Sequence, residues 1–141
     1  MFRIQILSVG KTKEAWLEEG INEYLKRLTP IAQFEFLWAK NNEQLVQLAS
    51  KAPLLICLDP AGKQMTSEKF ADFLQQKLIQ GGSKIAFVIG GAEGLPQELK
   101  SDASSMLSLS ALTMTHQMVR LLLIEQIYRA FEILKGSQYH K

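Results

Sequence analysis

The chain has 141 residues, 47% of them apolar and 21% charged, ordinary values for one globular domain able to bury a core without staples. Sixteen basic residues against fourteen acidic ones leave a net charge of +2, which is compatible with a nucleic-acid partner and too small to argue for one. A single cysteine, Cys57, excludes an intrachain disulfide framework and a multi-cysteine metal site, and no apolar run approaches the roughly 18 residues of a membrane span.

The opening Met1-Phe2-Arg3-Ile4 lacks signal-peptide architecture and runs into a strand pattern, so the cytoplasm is the expected compartment. Phe2 to Val9 alternates and is rich in β-formers, which predicts a first strand. After a loop at Lys11-Thr12-Lys13, the residues Trp16, Leu17, Ile21, Tyr24, Leu25 and Leu28 trace an amphipathic helix that stops before Pro30. Phe34 to Trp38 reads as a short second strand, and Asn41 and Asn42 offer a cap for a helix carrying Leu45, Val46, Leu48 and Ala49. Leu54 to Leu58 is an unbroken apolar run closed by Asp59-Pro60-Ala61-Gly62, as expected of a strand buried on both faces and its turn. Its Cys57 is read as a buried, unreactive thiol.

Ser67 begins a third helix, with Phe70, Phe73, Leu74 and Leu78 behind it and Gly81-Gly82 at its end. Lys84 to Ile89 is another buried strand, running into Gly90-Gly91-Ala92-Glu93-Gly94, after which Leu95-Pro96 opens a short helix. Met106 to Leu109 is the last strand, and Leu109 to Thr115 a loop of small, hydroxylated and apolar residues. The final helix is capped by Thr115 and ends at Gly136. Val119, Leu122, Leu123, Gln126, Ile127, Ala130, Phe131 and Leu134 predict its packed face, and Glu125 and Arg129 a weak surface pair.

Strands alternating with helices predict a single α/β domain over residues 1–141, an open, mostly parallel sheet with helices on both faces. In such sheets ligands bind beyond the carboxyl ends of the strands. Three loops are expected there: those after Leu58, after Ile89 and after Leu109.

Each motif has a plain alternative. Gly10-Lys11-Thr12 lacks the glycine that a phosphate-binding P-loop needs five places earlier, where Gln5 stands. Gly90-Gly91-Ala92-Glu93-Gly94 holds two of the three glycines of a dinucleotide fingerprint. It reads equally as a tight strand-to-helix turn and as backbone bared for a ligand. His116 and Arg120, four apart at the positive end of the last helix, are either surface residues or a cationic pair awaiting a carboxylate or phosphate. Two histidines and scattered carboxylates show no metal-ligand spacing, so no metal is expected. Tyr139 and His140 are either a frayed end or a stacking ring and proton acceptor over a flat base.

FVIGGAEGLP, LSLSALTMTHQMVRLLLIEQIYRA and the closing GSQYHK, with the opening VGKTK and the LDPAGK turn, resemble the bacterial large-subunit ribosomal RNA methyltransferase H family. The match spans essentially the whole chain, and it is the combination that is specific. The resemblance implies a minimal SPOUT-class enzyme, a homodimer whose C-terminal segment forms a trefoil knot, a connection rare enough that periodicity never predicts it. It implies transfer of a methyl group from S-adenosylmethionine to N3 of a pseudouridine in 23S ribosomal RNA on the assembled ribosome. Carried over residue by residue, the cofactor contacts are Leu58, Gly90, Leu109, Ser110, Ala111, Leu112, Thr113 and Met114, on the three loops named above. Expected catalytic residues are His140 or His116 as proton acceptor, Tyr139 against the base, and Arg120, with Arg129, on RNA phosphates. One departure is visible. Thr115 stands where the family is expected to carry proline, and threonine can cap the helix instead. The rival readings are a non-catalytic ribosome-assembly factor that binds RNA and a flavodoxin-like nucleotide-binding protein. Calorimetry with S-adenosylmethionine, ATP and flavin mononucleotide separates them, together with labelled-methyl transfer.

Overall fold

In the computed structural model, which describes residues 1–140, the apolar runs of the chain become the middle of a sheet covered on both sides. The elements in order are β1 (Phe2–Val9), α1 (Ala15–Leu28), β2 (Ala32–Ala39), α2 (Asn42–Ser50), β3 (Leu54–Gln64), α3 (Ser67–Gln80), β4 (Lys84–Ile89), α4 (Gln97–Asp102), β5 (Ser105–Ser108) and α5 (His116–Lys135). The strands pair in the order β2-β1-β4-β3-β5, every pair parallel. That order differs from the 2-1-3-4-5 of flavodoxin-like sheets, which removes the flavodoxin-like reading.

Two cores follow from the pleat, which sends alternate side chains to opposite faces. On one face Ile4, Ile6, Ile56, Ile85 and Phe87 pack with α1, α3 and α5. On the other, Leu7, Leu55, Cys57, Ala86 and Val88 meet Leu45 and Ala49 of α2 and Leu99 of α4. Cys57 is fully buried, its Sγ donating to the Leu99 carbonyl at 3.6 Å. Burial pushes the thiol up to about 11, so it is protonated and inert.

Several boundaries differ from the sequence expectation for identifiable reasons. β2 begins at Ala32 because its register with β1 starts at Phe2. β3 does not end at Leu58. It breaks register there and resumes beside β5, with Lys63 opposite Leu107 and Gln64 opposite Ser108. At this second crossing a Cβ on Gly62 would lie 2.8 Å from backbone atoms of Met106 and Leu107, so only glycine fits. β5 accordingly ends at Ser108, and Leu109 belongs to the loop. Pro96 takes the cap position of α4 rather than its first turn.

The caps agree with the side-chain chemistry. Asn41 Oδ1 accepts from Gln44 N at 2.9 Å and Thr115 Oγ1 from Met118 N at 3.2 Å. Gly136 takes φ of 79° and closes the end of α5. The packed stripe of α5 is rotated from the one predicted: Ile124 is fully buried and Leu134 is exposed. Apolar residues surround much of this helix, so periodicity alone could not choose the stripe.

Candidate active site

The carboxyl ends of β4, β3 and β5 are neighbours in the sheet, and the loops leaving them enclose a cavity of about 540 Å³. Leu58, Gly90, Leu109, Ser110, Leu112, Thr113 and Met114 line it; Ala111 does not and points to solvent. The walls also include Ile89, Leu95 and Val119, which sequence reasoning did not single out. The volume lies within the usual range of small-molecule sites, roughly 300–1,000 Å³. A larger, shallow depression of about 1070 Å³ lies at the opposite edge beside Met1, Arg3 and Lys84, but amino ends of parallel strands are not where such sheets hold ligands.

Each wall has a local cause. After β4 the chain folds back at once, with Gly94 N donating to Gly91 O at 3.0 Å and Gly94 at φ +81°. A Cβ on Gly90 would lie 2.8 Å from the Gly94 carbonyl carbon and 2.9 Å from Leu95 N. The glycine is therefore required by the tightness of the turn. After β5, Ser108 Oγ donates to Ser110 O at 2.9 Å, and Ser110 Oγ accepts from Leu112 N at 3.0 Å. Hydroxyls thus hold the loop where glycine or proline would be expected. At the register break in β3 after Leu58, Asp59 accepts from Ala61 N at 2.9 Å and pairs with Lys100 at 3.1 Å, fixing the third wall.

His116 opens α5 at the cavity rim. Burial, then Arg120 and Lys13, lower its pKa from 6.5, so its imidazole is neutral at physiological pH and able to accept a proton. Arg120 corrects both sequence readings, since it is neither a surface residue nor a free cation. It is fully buried, and all five of its N–H groups are occupied. Nε donates to Ser8 Oγ, Nη1 to Thr12 Oγ1 and Gln117 Oε1, and Nη2 to the carbonyls of Val9 and Gly10. The Trp38 ring covers its plane at 4.8 Å. Burial brings its pKa down to about 10, so it keeps its charge. No donor remains for a phosphate. Its work is to tie the β1–α1 loop to the start of α5.

The family model described as "Predicted SPOUT methyltransferase" matches residues 2–140. A Ribosomal RNA large subunit methyltransferase H of Protochlamydia amoebophila is 60% identical, with 100% of both chains covered. The protein of the same name from Halothermothrix orenii is 43% identical over 99% of each chain. The chain belongs to the SPOUT methyltransferase family. Among solved structures, a probable methylase family protein from Haemophilus influenzae shares the fold with a TM-score of 0.58 at 14% identity, covering 99% of this chain and 70% of that one. A probable methyltransferase from Bordetella pertussis gives 0.58 at 10%, covering 91% and 95%.

In this SPOUT methyltransferase the C-terminal tail does not close over its own cavity. Tyr139 Oη donates to Glu125 Oε2 at 2.9 Å, and its ring meets Tyr128 edge-on at 4.7 Å. Arg129, lying over the Tyr139 ring at 5.0 Å, grips the same Glu125 oxygen through Nη2 at 2.8 Å. His140 Nδ1 faces Arg129 at 3.4 Å, and Nε2 faces Glu68 of α3 at 3.1 Å. Glu125 lies nine residues beyond His116, roughly 13 Å along the helix. Neither Tyr139 nor His140 lines the cavity, and Arg129, like Arg120, is engaged within the chain. Burial, then hydrogen bonding to Tyr24 and Glu125, raises the Tyr139 pKa well above the usual phenol value, so Tyr139 is a donor and not a base. The Glu125–Arg129 pair is thus the seat of the tail rather than a weak surface pair. Nothing in helical spacing marked Tyr24, Tyr128 or Glu68 as its partners, because they come from three different helices.

Proposed function

We propose that this protein methylates large-subunit ribosomal RNA at N3 of a pseudouridine on the assembled ribosome, taking the methyl group from S-adenosylmethionine, as a cytoplasmic homodimer. One observation carries the reading. In a chain 60% identical end to end to a protein named for ribosomal RNA methylation, three backbone-walled loops at adjacent strand tips enclose one small-molecule cavity.

The residues present fit an adenosyl cofactor. Leu58, Ile89, Leu95 and Val119 offer apolar walls for a flat ring, and the tight turn at Gly90 bares backbone there without a side chain. When bound, the cofactor supplies an already activated sulfonium methyl group. The protein must then align a nitrogen with it and help that nitrogen lose its proton. His116, neutral and at the rim, is placed to accept it. Its neighbours Arg120 and Lys13, which add to burial in keeping the imidazole uncharged, also favour an anionic nitrogen nearby.

The tail supports a dimer. Tyr139 and His140 pack on the outside of α5 and do not line their own cavity, so in this reading they meet the base bound by a partner subunit. A trefoil-knotted path through residues 105–116 is part of the proposal, and the close approach of Gly62 to Met106 and Leu107 where β3 pairs with β5 a second time supports it.

The test is incubation with methyl-labelled S-adenosylmethionine, comparing intact ribosomes with isolated subunits. Label at one pseudouridine on intact ribosomes is expected. Tight cofactor binding without any transfer would make the protein a binding factor and sink the enzymatic reading.

A further inference from the structure

The carboxyl edge of the sheet has two halves. The cavity occupies the tips of β4, β3 and β5; the tips of β1 and β2 carry Lys11, Lys13 and Lys40, all exposed. Among the described residues none of these three ammonium groups lies in an ion pair. Among the same residues Lys26, Lys51 and Lys84 at the opposite edge are unpaired as well, so what sets these three apart is their place on the carboxyl edge beside the cavity. The nearest acids in sequence are Glu14, beside the first turn of α1, and Glu43, in the first turn of α2. Neither acid forms an ion pair with Lys11, Lys13 or Lys40.

The lysine-bearing loops are held rigidly, although their side chains are free. Gln117 Nε2 donates to Lys11 O at 3.1 Å, and Gln117 Oε1 accepts from Lys13 N at 3.3 Å. Arg120 holds Val9, Gly10 and Thr12 between them. Gly10 N donates to Ala39 O at 2.8 Å, and Lys40 N to Gln44 Oε1 at 2.7 Å, which joins the β2–α2 loop to the same block. Through Gln117 and Arg120 this block is bolted to the first turn of α5, where His116 forms the cavity rim. Trp16, three residues beyond Lys13 on the first turn of α1, is 58% exposed.

We propose that Lys11, Lys13 and Lys40 form a preorganised ledge that receives backbone phosphates of the substrate RNA flanking the base presented to the cavity. The proposal rests on the reading of the cavity as an RNA-methylating site. Lysine suits the task as a mobile point charge that meets phosphates of varied geometry. Fixing its backbone beforehand removes ordering cost from the encounter, and an exposed indole can stack on an unpaired base. Arg120 and Gln117 are positioning residues. They touch no RNA and hold the ledge at a set distance from the rim.

The test compares the K11A/K13A/K40A variant with a control of equal charge change at the opposite edge, K26A/K51A/K84A. Binding of the full-length protein to intact ribosomes is measured from low to moderate salt, with cofactor affinity by calorimetry alongside. The ledge variant is expected to bind about ten-fold more weakly at low salt, with the slope of log affinity against log salt reduced by about one unit per lysine. Its cofactor affinity should match the parent protein, and the control should bind ribosomes as the parent does. Equal ribosome binding by the ledge variant, or equal loss in both variants, overturns the ledge. Ledge-dependent binding without any methyl transfer leaves the ledge standing and sinks the enzymatic reading instead.

Discussion

Replacing Arg120 by lysine keeps the charge and removes the fork, which separates the two things this residue could do. The guanidinium fills five acceptors at once: Ser8, Thr12, Gln117 and the carbonyls of Val9 and Gly10. An ammonium group has three donors on a different geometry, so at least two of these buried or part-buried acceptors lose the donor that the guanidinium gave them. A hydrogen bond to a charged group contributes about 1.5–3 kcal/mol, and a buried orphan costs about 1–3 kcal/mol. With the Trp38 contact also weakened, Arg120→Lys should destabilise the protein by about 3 kcal/mol. For a chain of this size that lowers Tm by roughly 10 °C. Urea unfolding at fixed protomer concentration, with calorimetry for the cofactor, reads both effects, because the loosened loop lies against the first turn of α5. A variant within about 1 kcal/mol of the parent, binding cofactor normally and losing only RNA affinity, would show that Arg120 faces its substrate and that the clamp is unimportant.

Gly90→Ala places a methyl group 2.8 Å from the Gly94 carbonyl carbon, and backbone cannot yield as a side chain can. A loss of about 1–3 kcal/mol is expected, with cofactor affinity reduced at least ten-fold in calorimetry; unchanged affinity would mean the cavity does not use this turn. If His116 accepts the N3 proton, its lowered pKa keeps the base form populated below pH 6.5. The rate should therefore hold steady down through 6.5 and fall only at more acid pH, and His116→Asn should abolish that limb. An acid limb centred above 6.5, or one unchanged in the variant, assigns the proton to another group. Mixed dimers of Gly90→Ala with a Tyr139→Ala/His140→Ala chain, at cofactor too dilute to fill the Gly90→Ala cavity, should regain one working site that neither parent has. Failure to complement would place the tail over its own subunit's cavity.

Sheet, helix order and the edge that carries the cavity were legible because continuous apolar strands and alternating helices admit few arrangements, and the caps at Asn41, Thr115 and Gly136 followed from local chemistry. The second half of β3 was not legible: Asp59-Pro60-Ala61-Gly62 carries ordinary turn chemistry, and only the neighbouring β5 shows why the chain resumes its strand. Arg120 was misread because helical spacing places a side chain on a face without saying what covers that face. Its cover comes from Ser8 to Thr12 and Trp38, far away in sequence. The seat of the tail was not legible for a related reason. Glu125 and Arg129 at i and i+4 look self-sufficient, and nothing local shows that Tyr139 joins them.

The most direct measurement is a structure determined with S-adenosylmethionine bound. The account predicts the adenosyl group against Leu58, Gly90 and the loop of residues 109–114, with Tyr139 and His140 of a second subunit facing it. A cofactor seated at the amino edge of the sheet, or three loops that move apart to leave it uncovered, would contradict the account.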